Sequence, residues 1–444
     1  MSPSEDGGAR GSAFWKKLGS ELREDFSRTG DWGAVLLRRA RSQPFDRKLL
    51  LTGVGVGTAA GLAVYALYTL LQFFALARAA LDASGPLTGV FFTVFLPMIG
   101  GLLSGWMTRR YCPEADGGVE EVAHAITDRD GHIPARVAWV KTVASAATIG
   151  LGGSAGLEAP AVQIGSSVGS AFGRLFGFPG RDLRTFVAAG AVGGLSAAFG
   201  VPLAGVFFTM EVILKDFASE AFPSVVVASV TGALVAKALL HGEGSVPPVA
   251  YDWTKNSELL LYAGLGLVCA VLGRLYAKAL RSAKSAFDAW ERLPTWMRPA
   301  AGGFLVGAVT LAAPRLGGAG TPTSLALLSG QTFGWTAAIL SLGKIVSTSL
   351  TLGSGGAGGS LTPSLFVGAA AGSGWGQAAA SLHWTQSSPG AFAVAGLCGV
   401  FTAAFSAPVT GMLIGVEMTR EYNLLTPVMV CCAIAYIGSR RAAR

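Results

Sequence analysis

Charge is what this 444-residue chain has least of. Only 14% of its residues are Asp, Glu, Lys or Arg, against about 25% in soluble globular domains. A water-facing surface cannot be built from so few charges. Histidine is scarce as well: His124, His132, His241 and His383 are far apart and show no ligand spacing. The five cysteines (Cys112, Cys269, Cys398, Cys431, Cys432) are scattered and odd in number. That excludes a disulfide framework and gives no metal spacing. There is no HExxH, no nucleophile elbow and no P-loop; Gly343–Lys344 lacks the flanking residues of one. An enzyme is therefore not expected. No cleavable leader is expected either, since residues 1–45 are polar and charged.

Apolar residues make up 51% of the chain, glycine contributes 62 residues, and the mean hydropathy is +0.51. Glycine is commoner in membrane helices than in soluble ones, because small residues let helices approach closely in lipid. Long apolar runs occupy 49–76, 87–106, 185–214, 222–240, 258–280, 299–313, 333–351, 391–416 and 425–438. A full crossing takes about 20 apolar residues. The expectation is an all-α integral membrane protein of the inner or plasma membrane, with the lipid bilayer as its solvent.

The net charge of +8 is concentrated near the ends, in residues 1–48 and at Arg440, Arg441 and Arg444. Basic flanks mark the cytoplasmic side, so both termini are expected there, and no nucleic-acid partner is implied. Within 1–48, Phe14, Trp15, Leu18, Leu22, Phe26 and Trp32 are spaced as in a helix lying on the membrane surface. The chain divides into that segment, a first membrane half at 49–240, and a second at 241–444 with a short basic end.

The halves are a repeat. Ala189–Val212 overlies Ala395–Met418 at an offset of 206, matching Gly190, Gly193, Phe199, Pro202, Gly205 and Glu211 with Gly396, Gly399, Phe405, Pro408, Gly411 and Glu417. Upstream the offset is 203: Lys141, Thr148, Gly156, Pro160 and Gly165 meet Lys344, Thr351, Gly359, Pro363 and Gly368. Each half carries a Gly-rich break before a helical run, GLGGSAGLEAP at 150–160 and GSGGAGGSLTP at 353–363. Broken helices at membrane depth line cavities and point to a transporter's binding site. Helix starts present free N–H groups and a partial positive charge, so two of them facing one cavity make a site for a small anion. A third Gly-rich start lies at 115–126, with a counterpart at 317–328. Glu158, inside the first break, is a carboxylate that could take the anion's place. An ionisable residue at this depth is expected to be functional.

These stretches resemble the CLC family of chloride channels and chloride/proton antiporters. The resemblance covers about residues 49–438. GLEAP (156–160) is similar to the family's G(K/R)EGP motif, which implies that Glu158 gates and that Gly156 and Leu157 lie at the anion site. GSLTP (359–363) resembles GxFxP, which implies anion contacts from Ser360 and Leu361. PEADGGVEEV (113–122) resembles the GSGIP region, which implies contacts from Gly117 and Gly118. The family implies inverted-topology halves with tilted and broken helices, a homodimer with one pore per subunit, and no cofactor beyond bound chloride ions. The substrates implied are chloride and similar small anions, with protons as the coupled species of an antiporter. The chain departs from the pattern in four places. Gly117 stands where a serine is usual, Leu157 stands where a Lys or Arg precedes the gate, no pore tyrosine is matched, and Val212 stands where antiporters carry an inner proton glutamate. Glu211 lies about 100° away around an α-helix, and its recurrence as Glu417 points to a structural role. Val212 favours a passive, glutamate-gated, pH-sensitive channel with weak anion discrimination; the alternative is an antiporter that lacks this glutamate.

Overall fold

The computed structural model describes residues 45–83, 85–113, 117–217, 220–239 and 258–441. The N-terminal surface helix and the last three residues of the basic end lie outside them.

Sixteen α-helices run through the described residues, eight in each half. The first half comprises α1 (Phe45–Asp82), α2 (Pro86–Tyr111), α3 (Gly118–Asp128), α4 (Arg136–Gly150), α5 (Glu158–Leu175), α6 (Gly180–Phe199), α7 (Pro202–Phe208) and α8 (Phe222–Leu239). The second comprises α9 (Glu258–Asp288), α10 (Arg298–Ala312), α11 (Thr321–Leu328), α12 (Thr336–Gly353), α13 (Leu361–Ser381), α14 (Pro389–Phe405), α15 (Pro408–Thr419) and α16 (Leu425–Arg441). The repeat is thus structural: α3 and α11 start 203 residues apart, as do α5 and α13, while α7 and α15 start 206 apart.

Among the described residues, six helices are long and apolar enough to cross a membrane: most of α1, then α2, α8, α9 and α12, and a last span that includes α16. Their outward faces are strongly apolar, with Leu260, Leu267 and Val271 on α9 and Phe73 and Leu76 on α1 all exposed. Such faces suit hydrocarbon rather than water. The remaining helices are shorter. The apolar run 185–214 is broken at Gly200, whose φ of 67° closes α6 before Pro202 opens α7. The run 391–416 breaks in the same way at Ser406, φ 56°. A left-handed residue followed shortly by proline stops one helix and starts the next.

Glycine fixes how the halves are packed internally. α5 lies on α6, and α13 on α14, as the most extensive helix pairs. At the first crossing Gly165 and Gly190 face each other so closely that a Cβ on either would strike the other's carbonyl. Gly368 and Gly396 repeat that crossing in the second half. Close backbone approach of this kind is how membrane helices gain packing energy.

Several contacts join the halves, the largest being α2 along α10; two others are reciprocal. Gly156 and Gly359, 203 residues apart, form an isolated antiparallel bridge. Its two hydrogen bonds are 2.8 Å (Gly156 N to Gly359 O) and 2.7 Å (Gly359 N to Gly156 O). Elsewhere α7 packs on α15, and each half caps the other. Glu211 accepts from the N–H groups of Val409 (3.2 Å) and Thr410 (2.9 Å) and from the Thr410 hydroxyl (2.7 Å). Glu417 accepts from Leu203 N (2.9 Å) and Ala204 N (2.7 Å). The structural role read from the Glu211–Glu417 repeat is this reciprocal cap. Glu211 sits in a π-turn, Thr209–Leu214, and not in the α-helix assumed for its angle to Val212.

Candidate functional site

The bridge brings two helix starts together. Each Gly-rich break delivers its chain to a shared point, and α5 and α13 begin just after it. A backbone pair at this depth satisfies polar groups that lipid could not.

Glu158, the first residue of α5, is fully buried. Its carboxylate reaches across to the start of α13. Thr362 N donates to one oxygen at 2.7 Å, and the Thr362 hydroxyl donates to the other at 2.6 Å. The Glu158 carboxyl group thus sits on a backbone N–H and a hydroxyl at the α13 start, the kind of environment that favours negative charge. Both bridge glycines make room for it. A Cβ on Gly359 would lie 2.5 Å from Glu158 Oε1 and 2.8 Å from Cδ, and one on Gly156 would also strike the carboxylate.

Gly359→Ala is therefore expected to push the carboxylate off Thr362. Basal anion flux in liposomes should rise several-fold while the protein keeps its elution profile in detergent. Unchanged flux from well-folded protein would show that the carboxylate does not block the path.

The other residues expected at the site fall around this point, in different roles. Gly156 is at the site, but its N–H is engaged in the bridge, so it supplies space and not a donor. Leu157 turns its side chain into an apolar cluster with Leu67, Ala146 and Ile164. Leu361 is the buried first residue of α13, and the Ser360 carbonyl accepts a 2.5 Å hydrogen bond from the Tyr276 hydroxyl. Gly117 and Gly118 open α3, and a Cβ on Gly118 would sit 3.8 Å from that of Ala159. Three helix starts, α3, α5 and α13, therefore converge. Val212 packs against the apolar core.

Two residues of the site were not found from sequence. Thr362 holds the carboxylate with two groups; it lies inside the quoted GSLTP motif, and its hydroxyl was the available signal. Tyr276, buried on α9, fixes the α13 start from 84 residues away. No pattern in the chain announces that contact. Lys344, also buried, donates to the carbonyls of Leu316 (3.2 Å) and Gly318 (2.7 Å) and lies 5.2 Å from the Phe366 ring. It orders the loop before α11, the counterpart of α3.

Paired halves with interlocked broken helices, and a carboxylate seated on helix-start donors at their junction, define a membrane permease for small anions. The model of the voltage gated chloride channel family matches residues 100–440. The chain belongs to that family, the CLC proteins. It is 31% identical to the H(+)/Cl(-) exchange transporter ClcA of Vibrio parahaemolyticus over 79% of this chain and 76% of that one. It is 31% identical to the ClcB-like protein of Ralstonia nicotianae over 78% and 81%. Among solved structures it overlies a slow cyanobacterial Cl-/H+ antiporter with a TM-score of 0.79 at 24% identity, covering 89% of this chain and 94% of that one. A CLC-type fluoride/proton antiporter gives 0.77 at 24% identity, covering 88% and 95%. The all-helical CLC fold with inverted halves read from the sequence is the fold observed.

Proposed function

We propose that this chain exchanges chloride for protons across the bilayer, with Glu158 as the group that both ions share. The observation that carries this reading is the Glu158 carboxylate held by Thr362 and the α13 start. Ionised, the carboxylate occupies the donors an anion needs. Protonated, it loses the charge that holds it there, and chloride takes its place. One side chain thereby admits either a proton or an anion. The relatives named as H(+)/Cl(-) exchange transporters support the coupled mode.

A second reading, passive conduction through a pH-sensitive pathway, is favoured by Val212, an aliphatic residue that cannot hold a proton. In either mode the anion contacts are N–H groups at the starts of α3 and α13, including those of Gly117, Gly118, Ser360 and Leu361. Gly117 brings no hydroxyl to choose between anions. The working form is a homodimer with one pathway per subunit in the inner or plasma membrane. Both termini are cytoplasmic, and bound chloride is the only accessory ion.

The test is the reversal potential of purified protein in a bilayer under opposed chloride and pH gradients. Exchange displaces it from the chloride equilibrium potential toward that of protons. A value on the chloride potential supports passive flux and sinks the exchange reading. Replacing chloride by nitrate on one side should move the potential little; a strong chloride preference would refute the role given to Gly117.

A further inference from the structure

In an exchanger protons must reach Glu158 from the inner side, and the π-turn offers no group to relay them. Val212 is aliphatic, and both carboxylate oxygens of Glu211 are engaged by the α15 cap. We propose that Glu121 on α3 is that relay, and that a small cavity between it and Gln163 holds water that carries the proton inward. The inference rests on the exchange reading.

Three observations place it there. First, α1 and α2 are each long and apolar enough to cross the membrane, so with the cytoplasmic N-terminus proposed above α3 opens on the cytoplasmic side. Glu121 pairs with Arg129 there, and its side chain is 30% exposed. It can take a proton from bulk water. Second, Glu121 lies beside Gly117, at the helix start proposed to face the anion. A Cβ on Gly117 would lie 2.5 Å from Glu121 Cβ and 3.0 Å from its Oε2. The glutamate thus fills the room that a side chain at 117 would need, beside a helix start that abuts Ala159 and the gate. Third, a cavity with room for a single water is lined by Glu121, Arg129, Ile133, Val137 and Gln163, among others. Gln163 on α5 is 1% exposed, and its Oε1 has no partner. A buried acceptor of this kind calls for a donor, and a water in the cavity supplies one.

α3 packs on α5, α6 and the π-turn, so Glu121 lies between the gate's helix and position 212. Four charged groups on those elements are engaged elsewhere. Glu158 is the gate, Arg174 donates to the Ile133 carbonyl and the Ser170 hydroxyl, Arg184 pairs with Asp130, and Glu211 caps α15. On α3, Glu120 lies in the first turn, and His124 and Asp128 pair at 2.9 Å in the exposed part of the helix. That bond to His124 holds the Asp128 carboxyl below its usual range, so Asp128 stays ionised. Asp182 and Lys215 mark the first turn of α6 and the end of the π-turn, and His132 follows Arg129 in the adjoining loop. Arg129 is the cation in contact with Glu121.

The step is a proton relay without redox chemistry. A proton from cytoplasmic water binds the Glu121 carboxylate, then passes through water to the Glu158 carboxylate. Glu121 regains its charge and its pairing with Arg129.

The test uses the full chain in liposomes, with chloride efflux and proton uptake recorded together for wild type, Glu121→Gln, Glu121→Asp and Gln163→Leu. Glu121→Gln should continue to pass chloride while proton uptake per chloride falls at least about tenfold, as for loss of a proton-transfer group. Glu121→Asp should restore uptake, and Gln163→Leu should slow it. A wild-type proton-to-chloride ratio in Glu121→Gln overturns the assignment of Glu121 alone. So does parallel loss of both fluxes that aspartate does not rescue. A wild type that moves no protons against their gradient overturns the exchange reading and this inference together.

Discussion

Glu158→Gln abolishes the pH dependence of chloride flux and stops proton transport. The glutamine amide is neutral at every pH, so it mimics the protonated side chain permanently. Wild-type flux should fall as pH rises, because the ionised carboxylate holds the α13 donors more firmly. In the variant, flux measured between about pH 3 and pH 8, a window that brackets ordinary carboxylate titration, should be level. It should match or exceed the wild-type acid value. The effect is large because charge-assisted bonds to the carboxylate, at Thr362 N and the Thr362 hydroxyl, are about twice as strong as neutral ones. Replacing the charge removes that advantage without creating a cavity. A variant that kept the wild-type pH profile would show that Glu158 is not the gate.

The largest effect on stability is expected at the reciprocal caps. Glu211→Ala leaves two N–H groups and a hydroxyl without their acceptor, and Glu417→Ala leaves two N–H groups. Hydrogen bonds to charged groups contribute about 1.5–3 kcal/mol each. Both sites are partly exposed, so the whole cap is reduced to about 2–4 kcal/mol. Glu211→Ala should lower the unfolding midpoint in detergent more than Glu417→Ala, in line with three donors against two. The glutamine variants should recover part of each loss, since an amide oxygen still accepts. Equal midpoints for wild type and both alanine variants would remove the caps from the forces that join the halves.

The sequence carried the architecture because repetition amplifies weak signals. One Gly-rich break is ambiguous; two at offset 203, each followed by a proline, mark paired helix starts. The same logic exposed Glu211 and Glu417 as a structural pair, although their partners could not be named. Each caps the opposite half, far away along the chain. What stayed hidden depended on single long-range contacts. Tyr276 meets Ser360 across 84 positions, and nothing local in either segment encodes that. Gly156 likewise meets a partner that nothing local announces: its N–H donates to the Gly359 carbonyl of the other half. The break in the run 185–214 was visible at Gly200 and Pro202, but apolar continuity concealed it.

The Gly156–Gly359 bridge has a mechanical consequence. Many transporters alternate their openings by rocking one half against the other about a central site. Here the central site is where the halves are hydrogen-bonded to each other, with the crossed glutamate caps fastening them again. Rocking would have to break the pair and the caps at once, whereas swinging Glu158 off Thr362 breaks only the bonds to one carboxylate. In the exchange cycle proposed above the frame would therefore stand still while a single side chain moves. Turnover would then be set by the local rearrangement of that side chain and not by large-scale motion of a domain through viscous lipid.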